Sequence, residues 1–374
     1  MQLEFFYIAN IRIPTEKAHG LQIMKTCEAL VSQGTKVKLL VPERVNRLQD
    51  NPFEFYNVPG NFSIKKLWCL DLINLPFLKK LFFWLESFTF YLSVNKYLKE
   101  NVADMYYTRD LSIAFWLSKK INIFYEIHTL PDRPKKRHIC AWKRSKALVV
   151  ISQGLKRDLI KNGVDEKKII VAPDAVDIKN FKTDKTKEQS REKFNLDPHD
   201  KIVLYTGHLY DWKGANLLAE AAKYLSEVEV YLVGGTEEDI AKYKSNFNFK
   251  NLHIVGWQSH ELMPEWLNAA DILVLPNTAK QKISSHYTSP MKLFEYMAAE
   301  RPIVAADLPS LREVINEKSA LFFRPDSVVA LVDGIKTLLS DNNLQHFLAQ
   351  NAYNKVGGFS WDKRAEKIIN FIQK

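Results

Sequence analysis

Two lysines and one carboxylate, Lys213, Lys292 and Glu295, each stand where an apolar run hands over to a helical pattern. The richest of these stretches is Ser289-Pro290-Met291-Lys292-Leu293-Phe294-Glu295-Tyr296-Met297-Ala298. It lies between an apolar run ending Leu275-Pro276-Asn277 and another beginning Pro302-Ile303-Val304, so it reads as strand, loop, helix, strand. Ser289 is expected to cap the helix and Pro290 to be its first residue. The amides of Met291 and Lys292 then point out of the helix end without intrahelical partners. Such an end attracts anions by roughly 0.3–2 kcal/mol per charge. Lys292 adds a full positive charge there, and Glu295 lies one turn further along the same face. A diphosphate with a sugar at each end suits this group.

Other residues fall at comparable positions. Tyr205-Thr206-Gly207-His208-Leu209-Tyr210-Asp211-Trp212-Lys213-Gly214 runs from a strand through a glycine turn into a helix at Ala215. Gly207 allows close backbone approach and Lys213 can reach a phosphate from the loop. Val233-Gly234-Gly235 and Val255-Gly256-Trp257 end further strands. Gly235 there permits contact with a flat base or ribose, and Trp257 either flanks a nucleobase or simply packs. In the first half, Lys17-Ala18-His19-Gly20 precedes a helix expected over Leu21–Ser32, with Gly20 free to approach a diphosphate. Glu126-Ile127-His128-Thr129 ends a buried strand and directs His128 away from the core, toward sugar hydroxyls or developing charge. Arg109, after Tyr106-Tyr107-Thr108, is a further candidate. A basic run of Arg133, Lys135, Lys136, Arg137, Lys143, Arg144 and Lys146 follows His128. It suits a phosphorylated acceptor or anionic headgroups, or else is a solvated face.

The elements that must hold these residues alternate from end to end. Strands are expected at Leu3–Ala9, Lys36–Val41, Met105–Thr108, Ile123–His128, Ala147–Ser152 and Ile169–Ala172. A second series is expected at Lys201–Thr206, Glu229–Val233, Leu252–Val255, Asp271–Leu275 and Ile303–Ala306. Most are continuous apolar runs, as in parallel sheets covered on both faces by helices. The polar stretch Asp184–Asp200 separates the two series. The expected layout is a Rossmann-like domain over 1–180, a linker over 181–200 and a second such domain over 201–358. A C-terminal segment over 359–374 returns to the first domain. Ligands of such α/β, doubly wound sheets bind beyond the carboxyl ends of the strands, here in a cleft between the domains.

The composition, with 46% hydrophobic and 26% charged residues, is that of an ordinary globular protein. Three cysteines far apart (Cys27, Cys69, Cys140) fit neither a disulfide framework nor a paired-cysteine metal site, which points to a reducing cytoplasm. The start Met1-Gln2-Leu3-Glu4 lacks the features of a signal peptide. Of the net charge of +10, residues 1–200 carry 34 basic against 23 acidic groups, a net of +11. An anionic partner for the first half is implied: membrane surface, phospholipid carrier or nucleic acid. The segment 77–97 is aromatic but too charged to span a membrane, and is either an interfacial helix or a core helix. There is no Asp-x-Asp pair, Walker loop, GxGxxG fingerprint or GxSxG elbow, so no metal is expected and lysines and helix ends take over charge neutralisation.

Over nearly its whole length the chain resembles the GT-B glycosyltransferases, specifically the large retaining family four group. The turn from Gly207 to Lys213-Gly214, Gly256-Trp257, Ala270-Asp271-Ile272-Leu273-Val274-Leu275-Pro276, Glu295-Tyr296-Met297-Ala298 and Arg301–Ile315 appear in family order, as does Val171–Phe181. The resemblance implies a GT-B fold and a nucleotide-sugar co-substrate, UDP- or GDP-linked, with no other cofactor. Lys213, Lys292 and the amides over Ser289–Lys292 would hold the donor diphosphate, and Glu295 the ribose hydroxyls. His128 would lie near the reacting carbon, with Gly20 in the glycine loop. Transfer would retain anomeric configuration, the leaving phosphate helping to deprotonate the acceptor. Three positions depart from the family pattern: Tyr287 stands where a glutamate meets the donor sugar, His208 replaces an arginine, and Asp174-Ala175 replaces Asn-Gly.

The resulting expectation is a transferase moving a sugar to a lipid-linked or polysaccharide acceptor in cell-envelope glycan synthesis, in the cytoplasm or at the inner membrane face. Donor contacts are expected from Gly20, Gly207, His208, Lys213, Gly235, Trp257, Tyr287, Thr288, Ser289, Pro290, Met291, Lys292 and Glu295, with catalytic weight on His128, Lys213 and Glu295. Acceptor contacts are expected from His19, Arg109 and Arg133. The alternatives are a nucleotide-sugar-binding protein without turnover and a transferase acting on nucleic acid, the latter disfavoured because the aromatic-basic pattern is not that of a stacking groove.

Overall fold

The computed structural model describes residues 2–71 and 79–373. The chain forms two compact units. One comprises Met1–Ile151, Leu155–Pro173 and Trp361–Lys374, the other Ser152–Gly154 and Asp174–Ser360.

The first unit is built on a parallel sheet of β1 (Glu4–Ile8), β2 (Lys36–Glu43), β3 (Ser63–Trp68), β4 (Met105–Thr108), β5 (Ile123–Ile127), β6 (Ala147–Val150) and β7 (Ile169–Val171). Their spatial order is β3-β2-β1-β4-β5-β6-β7. The second unit repeats the plan with β8 (Ile202–Thr206), β9 (Glu229–Val233), β10 (Leu252–Gly256), β11 (Ile272–Leu275), β12 (Ile303–Ala306) and β13 (Leu321–Phe323), in the order β10-β9-β8-β11-β12-β13. Every strand pair is parallel. The central strands are buried along their length because helices cover both faces: β5, β8 and β11 have no exposed residue. The winding direction reverses between β1 and β4 and again between β8 and β11. Beyond the carboxyl ends of the strands at such a switch point, a doubly wound sheet opens a crevice for ligands.

Two strands lie outside the sequence expectation, β3 and β13, and both are sheet edges. In β3 only Leu67 is buried, so the strand shows no apolar run. The stretch 181–200 is not a free connector. Its helix Lys187–Lys193 belongs to the second unit, where the fully buried Arg191 bonds to Ala269 O (2.9 Å), Pro198 O (2.7 Å) and Asp271 (2.9 Å). The helix Trp361–Ile372 packs in the first unit against the helix Ala18–Ser32, with Ser32 Oγ 2.5 Å from Asp362.

Of the segment 77–97, residues 77 and 78 lie outside the described residues; the remainder begins the helix Lys79–Glu100. Its inner face buries Phe90 and Val94 against Phe6, Ile8 and Leu40. Its outer face exposes Leu81, Phe83, Trp84 and Leu92, each about half accessible at 47–49%. Among the described residues, no helix is long and apolar enough to cross a membrane.

Candidate functional site

In the second unit the switch point is lined by the residues after β8 and after β11. Gly207 ends β8 with φ +116°, and the next strand's Gly234 is so close that a Cβ there would lie 2.3 Å from Gly207 O. Glycine at 234 lets these two loops touch, and the positive φ favours glycine at 207. The helix of the Lys292 stretch runs Met291–Ala298, and its cap residue is Pro290 rather than Ser289. The Ser289 hydroxyl is committed elsewhere, accepting the Asp174 amide at 3.1 Å. The helix therefore starts one residue later than expected. Leu293 N–H reaches Pro290 C=O at 2.8 Å, leaving the Met291 and Lys292 amides at the open end of the ladder.

Lys292 turns back over β8. Its side chain is buried, 8% exposed, and Nζ makes no hydrogen bond to the protein. It sits 3.5 Å from the centre of the Tyr205 ring and would be 3.2 Å from a Cβ at Gly207. A buried ammonium held by one aromatic face is an unsatisfied group, and burial without a partner costs several kcal/mol. Burial and the nearby Lys213 together hold the Lys292 ammonium well below the ordinary lysine value, with Glu295 opposing. Lys213, between the rings of Tyr210 (5.5 Å) and Trp212 (5.3 Å), is brought down to about 8, chiefly by burial, again with Glu295 opposing. Two lysine side chains and two open helix amides thus stand at one switch point, and an anion there would favour the charged forms of both lysines.

Glu295 is nearly buried and its Oε1 lies 2.9 Å from His260 Nε2. His260 follows β10 and has its ring edge-on to Phe181 at 5.5 Å. Sequence reasoning did not single out His260; no local spacing links it to Glu295, and only the order of β10 and the helix Met291–Ala298 does so. His208 stacks on Tyr210 at 5.0 Å, while Gly235 is buried and Trp257 is half exposed. Tyr287, Thr288 and Ser289 are all buried, Tyr287 ending a short π-helical turn (Ile283–Tyr287) with Lys282 5.3 Å over its ring. Such turns occur frequently at functional sites. Pro290 and Met291 are part-exposed.

The first unit carries a different arrangement. His128, after β5, has Nε2 2.6 Å from Glu126 Oε1. Glu126 is fully buried and also receives Gln22 Nε2 (2.7 Å) and Arg364 Nη2 (2.7 Å) on Oε1, and the Tyr107 hydroxyl (2.5 Å) on Oε2. Burial alone would raise this carboxyl, but Arg364, the His128 contact and Arg109 carry it well below the ordinary glutamate value. Arg109 donates to Gln22 Oε1 at 2.6 Å. His19 and Gly20 fall within the first turn of the helix Ala18–Ser32, which begins earlier than expected. A Cβ on Gly20 would lie 2.2 Å from the Tyr56 hydroxyl, which bonds to Thr15, so packing within the unit accounts for the glycine. Arg133 and the six other members of the basic run are exposed.

A parallel doubly wound sheet with lysines and a helix N-terminus at its switch point has the layout in which such folds hold ligands, beyond the carboxyl ends of the strands. Two family models match the chain. That of Glycosyltransferase Family 4 matches residues 20–180 and that of Glycosyl transferases group 1 matches residues 186–355, together well over half of the chain. The chain belongs to these glycosyltransferases. A UDP-Gal:α-D-GlcNAc-diphosphoundecaprenol α-1,3-galactosyltransferase from Escherichia coli is 25% identical over 218 residues, 55% of this chain and 54% of that one. The chain spans about half the length of the curated relatives it matches. Among solved structures, a sucrose-phosphate synthase from Thermosynechococcus elongatus superposes with a TM-score of 0.82 at 17% identity, covering 100% of this chain and 98% of that one. HepE of Anabaena, solved with UDP-glucose, gives 0.77 at 14% identity, covering both chains fully (100% each). The fold is that of the GT-B glycosyltransferases.

Proposed function

We propose that this protein transfers a sugar from a nucleoside-diphosphate sugar to a lipid-linked or polysaccharide acceptor, with retention and without a metal. The pathway would be cell-envelope glycan synthesis at the inner face of the membrane. The observation that carries the reading is Lys292: a buried side-chain nitrogen with no hydrogen bond, at a helix end and a sheet switch point. A donor diphosphate would satisfy Lys292 and Lys213 together with the Met291 and Lys292 amides. Such charge-assisted bonds also stabilise the leaving diphosphate as its charge grows during transfer. Glu295, steadied by His260, would take the ribose hydroxyls. His128 would serve the acceptor side of the reaction, with Arg109 and His19 as further acceptor contacts.

The kind of acceptor draws support from the galactosyltransferase relative, whose name specifies a diphosphoundecaprenol-linked sugar. Retention rests on the family resemblance. Membrane contact is supported by the exposed Leu81, Phe83, Trp84 and Leu92 and by the basic excess of the first half.

The deciding experiment is a thermal-shift titration with UDP, GDP, ADP and CDP on wild type, Glu295→Ala and Lys292→Ala. Stabilisation by one nucleotide, lost in both variants, fixes the donor class, and a donor panel with membrane extract then seeks a sugar-bearing product. No stabilisation by any nucleotide sinks the reading. Binding without transfer or slow hydrolysis favours a nucleotide-sugar-binding role, the second reading. The buried Tyr287 motivates it, because a phenol stands where the family places a carboxylate.

A further inference from the structure

The first unit contains a carboxylate with more donors than any binding role requires. Glu126 Oε1 lies 2.7 Å from Gln22 Nε2, 2.7 Å from Arg364 Nη2 and 2.6 Å from His128 Nε2, while Oε2 lies 2.5 Å from the Tyr107 hydroxyl. These donors come from four different places in the chain: the helix Ala18–Ser32, β4, the end of β5 and the C-terminal helix Trp361–Ile372. Arg364 is itself fixed. Its Nε donates to Pro173 O at 3.0 Å and its Nη1 lies 3.4 Å from Thr26 Oγ1. Gln22 is oriented by Arg109, which occupies its amide oxygen, so that its NH2 must point at Glu126.

An ionised carboxylate accepts hydrogen bonds and cannot donate them. With Gln22, Arg364 and Tyr107 all donating, Glu126 is held as the anion, and His128 Nε2 must then carry a proton. The ring's orientation and tautomer are therefore set by Glu126, and the protonation state of His128 can change only at Nδ1. A histidine whose one nitrogen is pinned to a carboxylate works with a defined tautomer, as in other imidazoles that act in catalysis or metal binding.

We propose that Glu126 and Arg364 are positioning residues for His128. The C-terminal helix, through Arg364, fixes the Glu126 carboxylate, and Glu126 fixes His128 with the proton on Nε2. The catalytic part of this inference rests on the glycosyltransferase reading above; the tautomer part does not. Arg364 lies 236 positions along the chain from His128 and acts on it only because the last helix returns to the first unit.

The test uses the full chain with 15N-labelled histidine and follows the His128 ring by NMR, beside turnover in the donor panel with membrane extract as the acceptor source. The variants are Arg364→Gln, Arg364→Lys and Gln22→Met. In wild type the Nε2 signal is that of a protonated nitrogen. Arg364→Gln shifts the His128 ring signals and lowers kcat by roughly tenfold to a hundredfold, the range for removing a partner that orients an imidazole. KM for the nucleotide sugar stays put, because Lys213, Lys292 and Glu295, the proposed diphosphate and ribose contacts, are in the second unit. Arg364→Lys, which keeps the charge, restores most of the ring signal and of kcat. Should Arg364→Gln fail to fold, Gln22→Met removes one uncharged donor from the same oxygen and is expected to move the ring signals in the same sense. An unprotonated Nε2 in wild type overturns the proposal. So does a lowered melting temperature with unchanged ring signals and kcat, which would make Arg364 a structural residue only. If wild type itself gives no transfer, the glycosyltransferase reading falls while the ring signals still decide the positioning claim.

Discussion

The Lys292 site and the Glu126 cluster are both buried and charged, and they are opposites in how that charge is met. Glu126 has four donors on two oxygens, while Lys292 has a single aromatic face and no hydrogen bond. A charge placed to hold other side chains is satisfied within the protein. A charge placed to receive something is left short, and the free protein carries that cost. The two sites should therefore respond to mutation with opposite signs in stability.

The largest effect is expected at Glu126. Glu126→Ala leaves the buried Arg364 guanidinium uncompensated and should lower unfolding free energy by about 3–5 kcal/mol, read from urea denaturation. A loss below about 1 kcal/mol would mean the cluster is not the matched network described. Lys292→Met comes next and tests the contrast directly. It should weaken the binding of the stabilising nucleotide by about tenfold to a hundredfold, the worth of one hydrogen bond to a charged group. It should also raise the melting temperature of the free protein, by about 2–4 °C per kcal/mol relieved. A fall in both would show that Lys292 is satisfied in the free protein and would erase the difference between the sites.

The third effect is a pH dependence. Lys213, lowered to about 8 by burial, is charged below that pH and neutral above it in the folded protein. Its charged form carries a penalty relative to the unfolded chain at low pH, and that penalty is relieved as pH rises from about 8 toward the ordinary lysine value. A bound diphosphate favours the charged form, so nucleotide affinity should fall as pH passes about 8, by at most about tenfold per unit. Calorimetric titrations at pH 7 and 9 that gave equal affinity would remove Lys213 from the diphosphate site. The smallest effect sharpens the comparison from outside. Lys242 Nζ lies 3.4 Å from Asp211 Oδ1 with both side chains largely exposed, and Lys242→Ala should cost less than about 1 kcal/mol. A larger loss would mean that burial is not what separates costly charges from cheap ones here.

Much of the fold was legible because strands covered on both faces must be apolar throughout, and the central strands of each sheet are. The strands that escaped, Ser63–Trp68 and Leu321–Phe323, are edges with less to bury, the former with Lys65 and Lys66 exposed. The segment 181–200 reads as a linker because, beyond Phe181 at its start, its buried side chains are a serine and an arginine, and the burial of Arg191 depends on partners 78 and 80 residues away. The helix start was displaced by one residue because Ser289 serves Asp174 rather than the helix. Lys213, Lys292 and Glu295 could be named from strand-to-helix position alone. His260, Gln22 and Arg364 could not, since their importance lies in what they touch, and the contact partners are 35, 104 and 238 residues distant in sequence.

The return of the last helix to the first unit also sets an order in time. Roughly 190 residues separate Pro173 from Trp361, which at ordinary elongation rates is on the order of 10–40 s of synthesis. Throughout that interval the nascent first sheet holds the Glu126 carboxylate without its guanidinium, and the helix Ala18–Ser32 without the neighbour that covers it. The first part of the protein to be made is thus among the last to be finished, and a chain cut short before Arg364 would leave a buried anion for quality control to find.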